Sequence, residues 1–517
     1  MCKTKACPFK ILILNHHPLK VISVLNVYIH KMSHQHFVRR IGFFSATSIV
    51  IGSVIGSAIF MKPATMAAQL GSPVLMIIVW VIAGIISLFG AMAFAELGTM
   101  FPETGGQYVY LQQAFGDKTA YLYGWSSIAV VNTAAIAAIA YVLASYLEYF
   151  FPLPRLSEAM EMTVILKIPL VGEIRPLQNI GVKAVAIAVI MGLSIINYFS
   201  LRSGNAIQFA ATAVKIGIIL LLVVGILFSG KGEHMNLVSD SVYHSSRGWD
   251  LLTAFMAATT GAFAAYDGWN NLNMVAGEIR EPERNINRSL VAGLWACILI
   301  YVLVTLSYMY VLPIDVMAKS KLVASDAADV VMGSNGAAVI AILIVISTFG
   351  ATNVNLLANA RVVFAMSGSG DFFSWAGKVH PRHDTPGNAV ILLGIWSSIL
   401  VLSGSFDILS DMFIFMSWVF YGLVVTGVFI LRRKQPGKER PYKTWGYPII
   451  PLIFLAFTIV YVCTTLYSDI SNFREGRTPV VNSVFGLMLT LSGMPLFYYF
   501  RRKKNVIVTS PDDQKQV

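Results

Sequence analysis

The chain has 517 residues, of which 56% are hydrophobic and only 12% charged, with a mean hydropathy of +0.68. Soluble proteins carry about 25% charged residues, so the composition excludes an ordinary soluble domain and points to a polytopic membrane protein. A net charge of +12 would suggest nucleic acid in a soluble chain, but here the basic residues cluster in short loops between apolar runs, a pattern that reports membrane orientation.

Residues 1–31 hold apolar islands too short to span a bilayer and lack the layout of a signal peptide. Met32 opens "MSHQHFVRR", a natural polar start ahead of the first span. The expectation is that residues 1–31 are dispensable or not translated, with residues 1–40 forming a cytoplasmic N-terminal tail.

Apolar runs near 20 residues long, enough for about 30 Å of hydrocarbon, recur along the chain. They are Ile41–Ala68, Pro73–Leu97, Ala120–Leu147, Val182–Phe199 and Ala206–Phe228. A second group is Leu252–Glu278, Leu290–Leu312, Ala337–Ser367, Ala389–Leu402 and Ile408–Leu431. Tyr447–Tyr467 and Val480–Phe500 complete the set. The expected class is an all-α integral membrane protein of about twelve helices. Its core covers residues 41–432, two accessory helices 433–500, and a cytoplasmic tail 501–517.

Alternate loops carry the basic clusters, including Arg39 and Arg40, "EIREPERNINR", "RRKQPGKERPYK" and "RRKK". The positive-inside rule then puts both termini in the cytoplasm. The expected location is the plasma or inner membrane.

Lipid tolerates irregular backbone only where it lines protein or a cavity. Two apolar runs are nonetheless interrupted, at "GSVIGSAIF" in the first and "TTGAFAAYDGWNNLN" in the sixth. If runs 1–5 and 6–10 are halves of one repeat, these breaks correspond, which is the best sequence pointer to a binding site on discontinuous helices. A broken helix offers free N–H groups to a carboxylate and free carbonyls to an ammonium. A pair of breaks therefore suits a zwitterion such as an amino acid. Gly52 to Gly56 also matches a helix-packing motif.

In order along the chain come "IGSVIGSAIF", "FAELGTMFPETGGQYVYLQQAFG", "AYDGWNNLNMVAGEIREPERNINR" and "STFGATNVNLLANARVVFAMSGSG". From about Arg40 to the tenth run the chain resembles the L-amino-acid transporter branch of the amino acid–polyamine–organocation superfamily. The resemblance implies a LeuT-like 5+5 inverted repeat with helices 1 and 6 discontinuous, plus two further helices. It implies amino acid transport by alternating access, often by exchange. The main alternative is a proton-coupled symporter; a non-transporting amino acid sensor on the same fold, or a membrane enzyme, is the reading from another class.

The resemblance implies that backbone N–H groups around Ile55, Gly56, Ser57 and Ala58 hold the substrate carboxylate. Carbonyls near Phe263, Ala264 and Ala265 would take its ammonium. Many relatives place a bulky aromatic where this chain has Ala264, so a roomier or less tightly gated pocket is expected. Asp267 is either the N-cap of the second half-helix or a pocket residue favouring cationic side chains. Asn270 and Ser417 occupy places where relatives couple substrate to gating, though single polar residues in bundles often serve interhelical bonding.

Lys215 lies about nine residues into the fifth run, near the bilayer midplane, where a lysine is costly. The resemblance implies that its ammonium stands where sodium-coupled relatives hold a cation, near the first break and Ser347/Thr348, making sodium unnecessary. The other reading is a packing lysine on backbone carbonyls. Glu96 and Arg361 are expected near cytoplasmic ends as gate-stabilising or folding residues, and Lys62 near the outer end of the first run, reaching water.

Of the cysteines Cys2, Cys7, Cys297 and Cys463, the last two are expected to be buried thiols in apolar spans. Neither they nor the histidines have metal-ligand spacing. No catalytic motif is present, so neither an enzyme nor a cofactor is expected. Animal members of the branch often pair with a single-span glycoprotein through a cysteine between spans 3 and 4. The loop Glu148 to Gln178 contains none, so no disulfide-linked heavy subunit is expected.

Overall fold

The computed structural model describes residues 41–101, 106–199, 204–241, 248–274, 276, 279–379 and 385–508. The expectations for residues 1–31, and parts of the quoted signatures, lie outside these. In chain order the helices begin with α1 (Phe43–Val54), α2 (Lys62–Leu70), α3 (Pro73–Met100), α4 (Gln107–Phe115) and α5 (Asp117–Leu147). Next come α6 (Ile180–Phe199), α7 (Gly204–Leu227), α8 (Trp249–Tyr266), α9 (Asn271–Met274) and α10 (Pro282–Val311). The last are α11 (Val323–Gly368), α12 (Gly387–Ser403), α13 (Phe406–Lys434), α14 (Ile449–Arg474), α15 (Asn482–Leu491) and α16 (Gly493–Val508).

Among the described residues eight helical stretches are long and apolar enough to cross a membrane: α3, α5, α6, α10, α11, α13, α14 and Asn482–Arg502. The other four expected runs coincide with α1 and α2, with α7, with α8 and α9, and with α12. Large apolar side chains such as Leu220, Phe228, Leu299 and Ile459 are exposed on the outside of the bundle, as lipid-facing positions must be in a protein that spans a membrane.

Local sequence explains the boundaries. Gly71, with φ +59, ends α2 in the left-handed region, and Pro73 opens α3 two residues later. Gly333 (φ +69, ψ −174) divides α11 ahead of the expected run Ala337–Ser367, since few other residues adopt that conformation. Residues Ser127–Val131 of α5 form a π segment. The carbonyl of Ala129 in this segment accepts the indole N–H of Trp396 at 2.8 Å, so α12 satisfies it.

The all-helical class holds, with one short hairpin beside the helices. Leu166–Ile168 and Gly172–Ile174 form an antiparallel hairpin in the loop between α5 and α6. It is tied to the loop before α15 through Glu173 N to Pro479 O at 2.8 Å and Val481 N to Val171 O at 2.8 Å. Strand pairing gives this exposed loop the backbone partners that side chains alone would not supply.

Packing sorts the helices. α10 lies along α3 and α1, and α8 along α2 and α3; α7 packs most extensively on α11, while α5 holds α6, α11, α12 and α13. Cys297 is buried as expected, but Cys463 is exposed, because it falls on the face of α14 turned away from the bundle.

Candidate functional site

The first apolar run stops being an α-helix at Val54, passes Ile55 with ψ 97°, and resumes as a 3-10 turn at Ala58–Phe60 before α2. The sixth stops at Tyr266, and residues 267–270 form turns ahead of α9. The two interruptions meet. Gly268 has φ +106, and a Cβ there would stand 2.6 Å from the carbonyl oxygen of Ser53. Only glycine permits both that conformation and that approach.

Around the first break, Ile55, Ser57 and Ala58 are buried and Gly56 is half-buried. Lys215, on α7 and almost wholly buried, donates to the carbonyl oxygen of Ile55 at 3.1 Å. That carbonyl follows the last residue of α1, where the helix leaves its oxygens without intrahelical partners. Ser347 and Thr348 are buried on α11, the helix along which α7 runs. The Thr348 hydroxyl turns back to its own helix, donating to Ile344 O at 2.7 Å.

Tyr301 on α10 is the residue that sequence reasoning missed. Its hydroxyl lies 2.9 Å from Val54 O and 2.7 Å from Ala265 O, so a single proton is placed between the carbonyl ends of both interrupted helices. The expected partner for Ala265 O was a ligand ammonium; in this structure Tyr301 takes one of its lone pairs. The ring packs against Trp80 (5.2 Å between centroids) and Tyr266 (5.0 Å), and the Tyr266 hydroxyl donates to Trp80 O at 3.0 Å. A tyrosine inside the uniformly apolar run Leu290–Leu312 gives no periodic signal that singles it out.

The expected second-break residues separate into three environments. Phe263 is buried and stacked on Trp418 of α13, centroids 3.6 Å apart, with Tyr461 of α14 edge-on. Ala264 is half-buried and Ala265 buried. Phe263 therefore belongs to the packing between α8, α13 and α14, and does not stand in for an aromatic at position 264.

Asp267 accepts a hydrogen bond from the Tyr421 hydroxyl of α13 at 2.6 Å. α9 begins four residues later, at Asn271, and the residue flanking it is the half-buried Asn270, whose carbonyl accepts Asn273 N at 3.0 Å. Asn271 N donates to Gly268 O at 3.1 Å, and Asp267 ties the second break to α13. Ser417 is buried one turn before Tyr421 on the same helix. Trp269 closes the cluster, 4.8 Å from Phe94 and 5.1 Å from Tyr421 between ring centroids.

Charges at the two ends of the bundle are organised more tightly than expected. Glu96 is buried and accepts both Arg432 donors, at 2.9 and 2.7 Å, plus the Thr444 hydroxyl at 2.7 Å. Arg361 is exposed on α11. Lys62, expected to reach water, is 1% exposed and pairs with Asp407 at 2.7 Å and Asp411 at 2.8 Å. Placing a lysine at the start of α2, beneath α13, buries it, and two carboxylates one turn apart receive it. Among the described residues no group of His, Cys, Asp and Glu is arranged to hold a metal ion.

The family model for amino acid permeases matches residues 41–489. The chain is 28% identical over 469 residues to the serine/threonine exchanger SteT of Bacillus subtilis, covering 90% of this chain and 98% of that one. It is 29% identical to the human b(0,+)-type amino acid transporter 1, over 89% of this chain and 87% of the relative. It is 30% identical to the human large neutral amino acids transporter small subunit 2, over 89% and 80%. These relatives lie in the L-amino-acid transporter branch and are transporters, not enzymes. The chain belongs to the amino acid permease family and is a multi-pass membrane transporter of amino acids.

Proposed function

We propose that this transporter is a sodium-independent amino acid exchanger working by alternating access. In this reading twelve spans form a 5+5 inverted repeat with two accessory helices; α1 with α2 and α8 with α9 are its discontinuous first and sixth helices. The observation that carries the reading is the meeting of the two breaks, Gly268 against Ser53 O, with the Lys215 ammonium on Ile55 O. Paired half-helices at one place are how such folds hold charged substrates.

Backbone N–H groups from Gly56 to Ala58 would hold the substrate carboxylate, the Ile55 N–H being already donated to Ile51 O at 2.9 Å, and carbonyls of Phe263 to Ala265 its ammonium, beside the lone pair used by Tyr301. Lys215 supplies a built-in cation on α7, which removes the need for sodium between α1, α7 and α11. The half-exposed Ala264 leaves room for the substrate side chain, with Asn270, Asp267 and Ser417 linking the pocket to α13. A relative named as a serine/threonine exchanger favours exchange. Both termini are cytoplasmic in this reading, in the plasma or inner membrane. One relative is named a small subunit; because the loop 148–178 carries no cysteine, we propose activity without a disulfide-linked heavy subunit.

The test is uptake of labelled amino acids by the purified chain in proteoliposomes, without sodium. Exchange requires unlabelled amino acid trapped inside. A second reading, proton symport through Lys215, is favoured by one observation: among the described residues Lys215 forms no ion pair. Uptake into empty vesicles, accelerated by an inward proton gradient, would establish that reading and overturn exchange.

A further inference from the structure

We propose that Gln107, Tyr110 and Asn273 form a closed binding site for ordered water, which seats α9 against α3 and α4. Asn273 lies on α9 and is 2% exposed; Gln107 and Tyr110 lie on α4 and are 3% and 1% exposed. A Cβ at Gly98 of α3 would stand 2.6 Å from Asn273 Oδ1 and 3.2 Å from Tyr110 Oη. The two oxygens therefore converge beside one glycine, close enough for a single water to bridge them. Gln107, three residues before Tyr110, shares the same face of α4.

Four side-chain atoms here have no hydrogen-bonding partner among the described residues: Gln107 Oε1, Tyr110 Oη, Asn273 Nδ2 and Asn273 Oδ1. Buried polar atoms are seldom left unpaired, because each then carries its full desolvation cost. The set also selects its ligand. The amide nitrogen donates, the two amide oxygens accept, and the phenol does either. A cation would suit the oxygens and be repelled by the Asn273 amide hydrogens; an anion would do the reverse. Water donates and accepts at once, and this corner offers it the several polar partners that a buried water needs. Aromatic walls enclose it. The Tyr110 ring is edge-on to Phe94 at 6.4 Å and tilted against Phe101 at 6.5 Å, and Phe94 packs on Trp269 of the second interruption at 4.8 Å. α9 is a single turn, too short to be held by its own backbone bonds. Hydration of Asn273 fastens that turn to α4, beside Gly98, through bonds that no direct side-chain contact supplies.

The test is radiolytic hydroxyl-radical footprinting of the full chain in lipid nanodiscs, with modification of each tyrosine read by mass spectrometry. Radicals formed from a water held beside Tyr110 add to its ring, whereas a buried tyrosine with no water beside it stays unmodified. Tyr146, buried with its hydroxyl on Phe60 O at 2.9 Å, is the dry reference, and Tyr149, exposed after α5, is the bulk-water reference. Tyr110 is expected to label well above Tyr146. After rapid transfer into heavy-oxygen water it should still incorporate the earlier isotope, while Tyr149 takes up the new one at once. Asn273→Leu, and separately Gln107→Leu, should bring Tyr110 down to the Tyr146 rate and leave Tyr149 unchanged. Labelling of Tyr110 no faster than Tyr146 in the parent chain would overturn the site. So would immediate uptake of the new isotope, which would show an open crevice, or fast labelling that survives the substitutions. Where Asn273→Leu does not fold, Gln107→Leu alone decides that last point. Amino acid uptake enters none of these readouts, so the site stands or falls independently of the transport reading.

Discussion

The ammonium of Lys215 lies 3.1 Å from the carbonyl oxygen of Ile55, the first residue beyond the end of α1. This contact joins a charge carried by one helix to the backbone opening of another. A hydrogen bond from a charged donor contributes about 1.5–3 kcal/mol, more when its loss leaves a buried acceptor unpaired. Lys215→Met is expected to lower exchange in proteoliposomes about 10- to 100-fold while the purified protein keeps its helix content by circular dichroism. Unchanged exchange would return Lys215 to a packing role.

Gly268→Ala tests the meeting of the two breaks. The new Cβ would meet Ser53 O at 2.6 Å at a position with φ +106, adding strain of about 1–3 kcal/mol before any collision is relieved. The expected result is an increase in KM of about tenfold or more in labelled amino acid exchange. Wild-type kinetics would mean that the breaks act independently.

Pocket size turns on position 264. With Phe263 stacked on Trp418, the half-buried Ala264 has no aromatic substitute. Ala264→Phe is expected to exclude the bulkiest accepted amino acid while the smallest retains its rate, measured by competition against one labelled substrate. Equal loss for all substrates would place the side chain outside the pocket.

Tyr421→Phe removes the donor that Asp267 holds at 2.6 Å, leaving a partly buried carboxylate short of a partner, a cost of about 1–3 kcal/mol. Exchange should slow about 5- to 100-fold. Combining it with Asp267→Asn should be no worse than the more severe single change, because the two residues act as one unit. Additive losses would show that they act separately.

Glu96→Gln addresses stability instead. The Glu96 carboxylate takes two donors from Arg432 and one from the Thr444 hydroxyl, and breaking a buried pair costs about 3–5 kcal/mol. A marked fall in melting temperature in detergent is expected. Arg432→Lys should also be destabilising, since a lysine cannot reproduce the two-pronged contact.

Much of this protein is legible in the sequence because membrane folding is dominated by one-dimensional rules. A segment in hydrocarbon must satisfy its own backbone, so apolar length alone marked α3, α5, α10 and α13, and glycines out of place marked the runs that divide at Ile55 and Asp267. The cost of an intramembrane charge singled out Lys215 before any contact was known. Partners across the bundle carry no such local trace. That Tyr301 stands between Val54 and Ala265, that Asp267 pairs with Tyr421, and that Lys62 is enclosed by Asp407 and Asp411 depend on residues 36 to 349 positions apart. A side chain's hydropathy is the same whether it faces lipid, water or a partner. The helix interruptions were written into the chain; which groups occupy their open ends was decided by how the helices pack.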